Sequence, residues 1–510
     1  MLKTAAVFSD HMVLQQEKPI PVWGWSEPGA VVTAELSEES RSVHADEEGA
    51  WCVAFRPRAA ARGLSMTIRK GDELIRFSDL SVGEVYLAGG QSNMELRLEE
   101  SLNGAEAIAG SGCPDIRFYM VPKCAAEDEE LERAEAASGW KVCGPDTSAA
   151  MSAVAYYFAR HLVSDLSVPV GILCCAWGGT SISCWMSREQ LMKTTAGARY
   201  IENYDRLIGD KSDETYRAEM EAYNQEWEAW NARVEARRRV DPDVTWEVLN
   251  EECGLCPWPQ PAGRTSPFRP AGLYGTMLRR VCPYAIRGFL YYQGEEDEAR
   301  CEDYDWMMIS LITEWRTAWG DPHIPFLFVQ LPMYIAKADA VKGFDSRHWP
   351  VLRDQQMKTV RTVSHTGLAV LADCGEFDNI HPLDKETVGA RLALQARQKV
   401  YGEEICADAP VCDRVTFQDG KARLHFHHTG GWLCVKGDGP QTFELAGRDG
   451  RFFEAEGLVE TDTVILWAGQ VPEPLFVRYA WRSYCKPNLY GASGLPAAPF
   501  RTDSFPLEEV

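Results

Sequence analysis

The chain has 510 residues, 45% of them hydrophobic, and a formal net charge of −23. That length calls for roughly two to four domains, and the acidic balance argues against nucleic acid or an anionic membrane surface as partner. No stretch approaches the roughly 18 uninterrupted apolar residues of a membrane span. The first ten residues, Met1 to Asp10, carry no secretory-type apolar segment, so the expected location is cytoplasmic. The 16 cysteines then read as reduced, half-buried apolar residues. Cys253 and Cys256 form a lone CxxC with no second pair at zinc-site spacing, and no metal is expected.

Residues 1–80 read as all-β, with strands predicted at 19–25, 31–36 and 51–55 between Gly, Pro and charged turns. This is the pattern of a sandwich-like support domain, and its tryptophans leave a sugar-binding role open. From 81 to 405 apolar strands alternate with helices. The strands are predicted at 85–88, 169–175, 286–292, 326–330 and 367–372. Helical spacing joins Val154, Phe158, His161, Leu162 and Asp165, then Met308, Leu311, Ile312, Trp315 and Trp319, then Val388, Leu392, Ala396 and Val400. Alternation of this kind predicts an α/β fold with a parallel sheet covered on both faces and a ligand at the carboxyl ends of its strands.

A charged helical insertion at about 190–270 interrupts the alternation. Within it Tyr216, Met220, Tyr223, Trp227, Trp230 and Val234 form an apolar seam. Packing on its own domain is the plain reading of that seam; a lid or a homo-oligomer contact are the alternatives. Pro257, Pro259, Pro261, Pro267 and Pro270 mark an irregular loop back to the core. Residues 406–510 are again β-like and turn-rich.

The chemistry concentrates at predicted strand ends. The strand at 85–88 runs into Gly89-Gly90-Gln91-Ser92-Asn93-Met94, where glycines permit a sharp turn and leave a serine exposed. A serine needs a base to become a nucleophile. Asp378-Asn379-Ile380-His381-Pro382 supplies one, with Asp378 placed to hold the imidazole tautomer while His381 takes the serine proton. Alone, an Asp and a His three apart are more often a helix entry and a surface side chain; the strand-end serine changes that balance. Oxyanion donors are expected from the Ser92 N–H, from Gly179 in Trp177-Gly178-Gly179-Thr180 (with Gly178 next), and from the Gln293 amide in Tyr292-Gln293-Gly294-Glu295. Asp373 is the fallback for Asp378. Gln91, Asn93, Glu295 and Asn379 are expected to support the site or meet the substrate.

These four blocks resemble those of the sialate O-acetylesterase family, within the SGNH (GDSL-like) hydrolase superfamily. The likeness extends to Phe8-Ser9-Asp10-His11-Met12 near the start and to Asn488-Leu489-Tyr490 and Pro499-Phe500-Arg501-Thr502-Asp503 near the end. The resemblance implies an SGNH-type, flavodoxin-like three-layer core with β accessory domains on either side. It implies removal of O-acetyl groups from a mono- or oligosaccharide, without metal or organic cofactor, with Ser92 as nucleophile, His381 as base and Asp378 as its partner. The chain departs from the family pattern at Glu296-Asp297, where Ser-Asn is usual, and at Gly275-Thr276 in the block before the third core strand. A sialate carboxylate would want a cation, for which Arg97 and Arg264 are the candidates; acetylated xylan or mannan oligomers ask for none. Two rival classes are a glycoside hydrolase using Glu295 with Asp378 and a non-catalytic glycan-binding protein.

Overall fold

A computed structural model describes residues 1–241 and 244–506. Its longest strand, β1 (Glu73–Gly90), changes character halfway along. The first half alternates partly buried and exposed side chains up to the buried Phe77 and pairs antiparallel with Ala61–Lys70. From Leu80 onward every residue is buried, as a strand covered on both faces requires. The position expected to separate the N-terminal region from the core, between 80 and 81, thus falls inside one continuous strand. The remaining N-terminal strands include the three predicted ones. Ile20–Trp25 pairs with Ala50–Phe55, and Val31–Leu36 pairs with Glu39–His44 and Ala61–Lys70.

The core sheet continues with β2 (Cys113–Met120), β3 (Trp140–Cys143), β4 (Val170–Ala176), β5 (Gly288–Tyr292), β6 (Phe326–Gln330) and β7 (Thr366–Val370). The strand order is β3-β2-β4-β1-β5-β6-β7; β3 is antiparallel to β2 and the other pairings are parallel. On one side of β1 the chain lays down β2 and β3 and then fills the gap beside β1 with β4; it next crosses to build outward on the other side. The sheet therefore switches direction at β1, and a crevice opens at the carboxyl end of that strand.

The helices of the core and insertion include α1 (Ala153–Leu166), α2 (Asp213–Val240), α3 (Trp246–Cys253), α4 (Tyr304–Ala318), α5 (His348–Thr362) and α6 (Glu386–Lys399). On one face α1 and α6 lie together. Gly389 lets them approach, because a Cβ there would sit 2.6 Å from the Tyr157 Cβ, and Phe158 meets Tyr86 edge to face at 4.8 Å. On the other face Trp315 of α4 packs on Phe289 and Tyr291 at 5.3 and 5.6 Å.

The insertion carries a small core of its own. Trp230 and Val234 of α2 pack with Leu249 and Cys253 of α3, so the seam is covered within the chain, while Trp227 stays 40% exposed. Ser212 caps α2 by accepting from the Thr215 N–H, and Arg237, Arg238 and Arg239 crowd its last turn, where the helix dipole favours cations. Cys253 is thus a core residue and Cys256 an exposed one, and all 16 cysteines are free thiols. After the core come two four-stranded antiparallel sheets, one containing Val411–Gln418 and Lys421–His427, the other Phe443–Ala446 and Phe476–Tyr479. Residues 242–243 of the insertion and 507–510 of the C-terminal region lie outside the described residues.

Candidate active site

The turn after β1 depends on two glycines. A Cβ at Gly90 (φ 136°) would lie 2.1 Å from the Tyr292 carbonyl oxygen, and one at Gly89 would lie 2.9 Å from the Trp315 ring. The close approach lets Gln91 donate its N–H to that same carbonyl at 3.1 Å. Ser92 then opens a short helix, Ser92–Glu95, at the crevice. Its Oγ lies 2.8 Å from Nε2 of His381, across 289 positions of sequence. With Nε2 unprotonated, the hydroxyl donates to the ring, which is the contact a nucleophile and its base require.

The backbone around His381 is fixed by buried amides. Its own N–H donates to Asn379 Oδ1 at 2.9 Å, and the preceding carbonyl of Ile380 accepts from Asn93 Nδ2 at 2.9 Å. Asn93 is fully buried and also bridges two charges, donating to Glu295 and accepting from Lys385 Nζ, each at 2.5 Å. Burial raises the Glu295 carboxyl to about 7 and lowers the Lys385 ammonium to about 8. Gln91, Asn93, Glu295 and Asn379 are all buried. Gln91 Oε1 accepts from the N–H groups of Gly294 and Glu296.

The expected third member of the triad is elsewhere. Asp378 has a left-handed backbone (φ 56°). Its Oδ1 accepts from the Lys337 N–H at 2.8 Å and its Oδ2 from Asn250 Nδ2 at 3.3 Å. The carboxylate thereby ties the segment after β6 to the insertion. Asp373, the fallback, is bound by Arg391 at 2.6 Å. Among the described residues no carboxylate pairs with the imidazole, and the arrangement is a Ser–His dyad. Nor do Glu295 and Asp378 form a carboxylate pair across the cleft; the first is buried against Asn93 and the second is held by Lys337 and Asn250.

Two of the three expected oxyanion donors stand open. The N–H groups of Ser92 and Gly179 have no acceptor among the described residues. A Cβ at neighbouring Gly178 would touch the Ser92 Cβ at 3.2 Å, which puts this turn beside the nucleophile. Gly178 itself donates to Glu95 Oε2 at 2.5 Å and is spent. Gln293 is also spent. It is 1% exposed, and its Nε2 donates to Asp297, to Gln91 Oε1 at 3.1 Å and to the Thr180 carbonyl at 3.2 Å. The departure at Glu296-Asp297 was the available signal, because a carboxylate four residues on captures the amide.

Burial and the nearby Lys385 ammonium push the His381 imidazole down to about 4; the field of Glu100 opposes them. A protonated ring cannot take the serine proton, so activity falls only as pH drops through this depressed value. The acid limb of kcat/KM is expected near pH 4, about two and a half pH units below that of a free imidazole. A pH–rate profile with its acid limb at the ordinary histidine value would contradict this environment.

Arg97, one of the two expected cations, lines the cleft with Ser92 and His381. Glu100 and Leu383 line it too, and Arg238 and Trp246 close it from the insertion; sequence reasoning missed these four. Arg97 is neutralised by Glu99 and Glu100 at 2.6 and 2.9 Å. Arg264 is exposed and does not line the cleft. On the other side of the glycine turn, Trp258 lies over Gly179 and is 47% exposed.

A carbohydrate acetylesterase from Xanthomonas citri, known from its crystal structure, is 30% identical and superposes with a TM-score of 0.77, covering 99% of this chain and 100% of that one. The sialate O-acetylesterases of Mus musculus and Homo sapiens are 26% and 23% identical, over 97% of this chain and 93% and 91% of theirs. The family model described as carbohydrate esterase, sialic acid-specific acetylesterase, matches residues 201–398, a span that includes His381 but begins after Ser92. The protein is a carboxylic ester hydrolase. It belongs to the sialate O-acetylesterase family of carbohydrate esterases. No helix among the described residues is long and apolar enough to cross a membrane.

Proposed function

We propose that this enzyme releases acetate from O-acetylated sugars, sialates first among them, through an acetyl-serine intermediate on a Ser–His dyad. His381 Nε2 takes the Ser92 proton as Oγ attacks the acetyl carbonyl. The oxyanion forms between the N–H groups of Ser92 and Gly179. The imidazolium returns its proton to the departing sugar oxygen. Water, deprotonated by the same nitrogen, then attacks the acetyl-serine, and acetate leaves as Ser92 recovers its proton. The field of Glu100, rather than a contacting carboxylate, favours the transient imidazolium. The observation that carries this reading is the 2.8 Å contact between Ser92 and His381 at the strand where the sheet reverses.

The same reading assigns residues 81–405 to an SGNH-type, flavodoxin-like three-layer catalytic domain with the insertion at about 190–270. The N-terminal region, 1–80, and the C-terminal region, 406–510, are its accessory β parts. Helices on both faces of the parallel sheet support that assignment.

The deciding experiment measures acetate release from 9-O-acetylated sialic acid and from acetylated xylan and mannan oligomers, alongside labelling with an organophosphonate. Acetate release that stops as Ser92 is labelled is the expected result. Glycan binding with no acetate released, or labelling elsewhere, would overturn it.

A further inference from the structure

Three consecutive arginines end α2, and they behave differently. Arg237 pairs with Glu252 and Asp241 at 2.6 and 3.3 Å. Arg239 pairs with Glu235 at 3.4 Å. Arg238, turned about a hundred degrees from each neighbour by the helix, makes no ion pair among the described residues. Its guanidinium lies over the Trp246 ring at 4.6 Å, and both side chains line the cleft that holds Ser92 and His381.

An acid that shares its cleft does not pair with it. Glu100 lines the same cleft, but its two oxygens take the backbone N–H and the guanidinium of Arg97, each at 2.9 Å. Partial burial holds the Arg238 guanidinium below its usual range against the opposing field of Glu100. In a chain of net charge −23, an arginine that has no ion pair among the described residues and lines the cleft of Ser92 is the feature that lets an anion approach. Stacking on indole fixes the plane of the guanidinium and leaves its edge free, the geometry that receives a carboxylate through two parallel hydrogen bonds.

We infer that Arg238, held on Trp246, is the specificity residue that binds a carboxylate of the acetylated sugar while Ser92 attacks its acetyl group. The inference rests on the esterase reading of the dyad. It places the anionic end of the substrate against the insertion and makes α2 and α3 a wall of the site.

The test compares Arg238→Gln with the unaltered enzyme on 9-O-acetylated sialic acid, on the methyl ester of that sugar, and on 4-nitrophenyl acetate. KM for the acid should rise by at least about tenfold with kcat unchanged. KM for the methyl ester and turnover of the small ester should not move. Arg238→Lys should restore part of the loss on the acid. The unaltered enzyme offers a readout free of any folding defect, since it should prefer the acid over its methyl ester, and added salt should narrow the gap. Equal losses on acid and ester would assign Arg238 a merely structural place and overturn the inference. Indifference of the unaltered enzyme to the carboxylate would overturn it too. In both cases continued acetate release leaves the dyad standing. If no acetylated sugar releases acetate at all, the esterase reading and this inference fall together.

Discussion

Ser92→Ala is expected to lower acetate release by about a thousandfold or more, as loss of a nucleophile does in other serine hydrolases. Its melting should be unchanged, because the hydroxyl's described partner is His381 alone. The informative comparison is Asp378→Asn. Where an aspartate holds the imidazole tautomer, its amide costs about ten-thousandfold. Here the carboxylate serves the Lys337 N–H and Asn250 instead. An asparagine keeps one acceptor for Lys337, so the loss should stay under about tenfold, the size of a displaced loop contact. A ten-thousandfold loss in Asp378→Asn would show the carboxylate reaching His381 during turnover, and the dyad would have to become a triad.

Gly90→Ala should have the largest effect on the fold. The added methyl would meet the Tyr292 carbonyl oxygen at 2.1 Å, and φ at 136° suits no side chain. Neither strand can yield, since β1 and β5 are bonded in register from Tyr86 and Gly288 up to this pair. A cost of about 3 kcal/mol or more is expected, from the short set of mechanisms that give large single-residue effects. It should read as a lower melting midpoint together with loss of acetate release, because Gln91 and Ser92 follow directly. A variant that melts with the parent would mean the turn after β1 is not tight.

The residues that announce the site were legible because their chemistry needs a particular place. A serine after two glycines at the end of an apolar run belongs at a strand end, and five core strands show as uninterrupted apolar stretches. β2 and β3 were hidden. Cys113–Met120 carries Pro114, Asp115 and Arg117, and Arg117 is nonetheless buried because its guanidinium is satisfied by the carbonyls of His11 and Pro114 and by Asp79. Such compensation is made by residues far away in sequence. Within the helical insertion, the eight residues of α3 show too little periodicity to reveal that Leu249 and Cys253 cover the seam of α2. A three-residue spacing does not encode the left-handed backbone that turns Asp378 toward Lys337 and Asn250. Nor does the Gln293 block show that Asp297 takes its amide. Which of three successive arginines turns inward depends on the phase of α2, and composition cannot supply that phase.

The strand Glu73–Gly90 belongs at once to the N-terminal sheet and to the nucleophile turn. A recombination event could not exchange the N-terminal region as a ready-made cassette, because every cut within those eighteen residues would sever the backbone that delivers Ser92. Descendants of this architecture can lengthen the loops of the N-terminal region or reshape its outer face, but they inherit it joined to the chemistry.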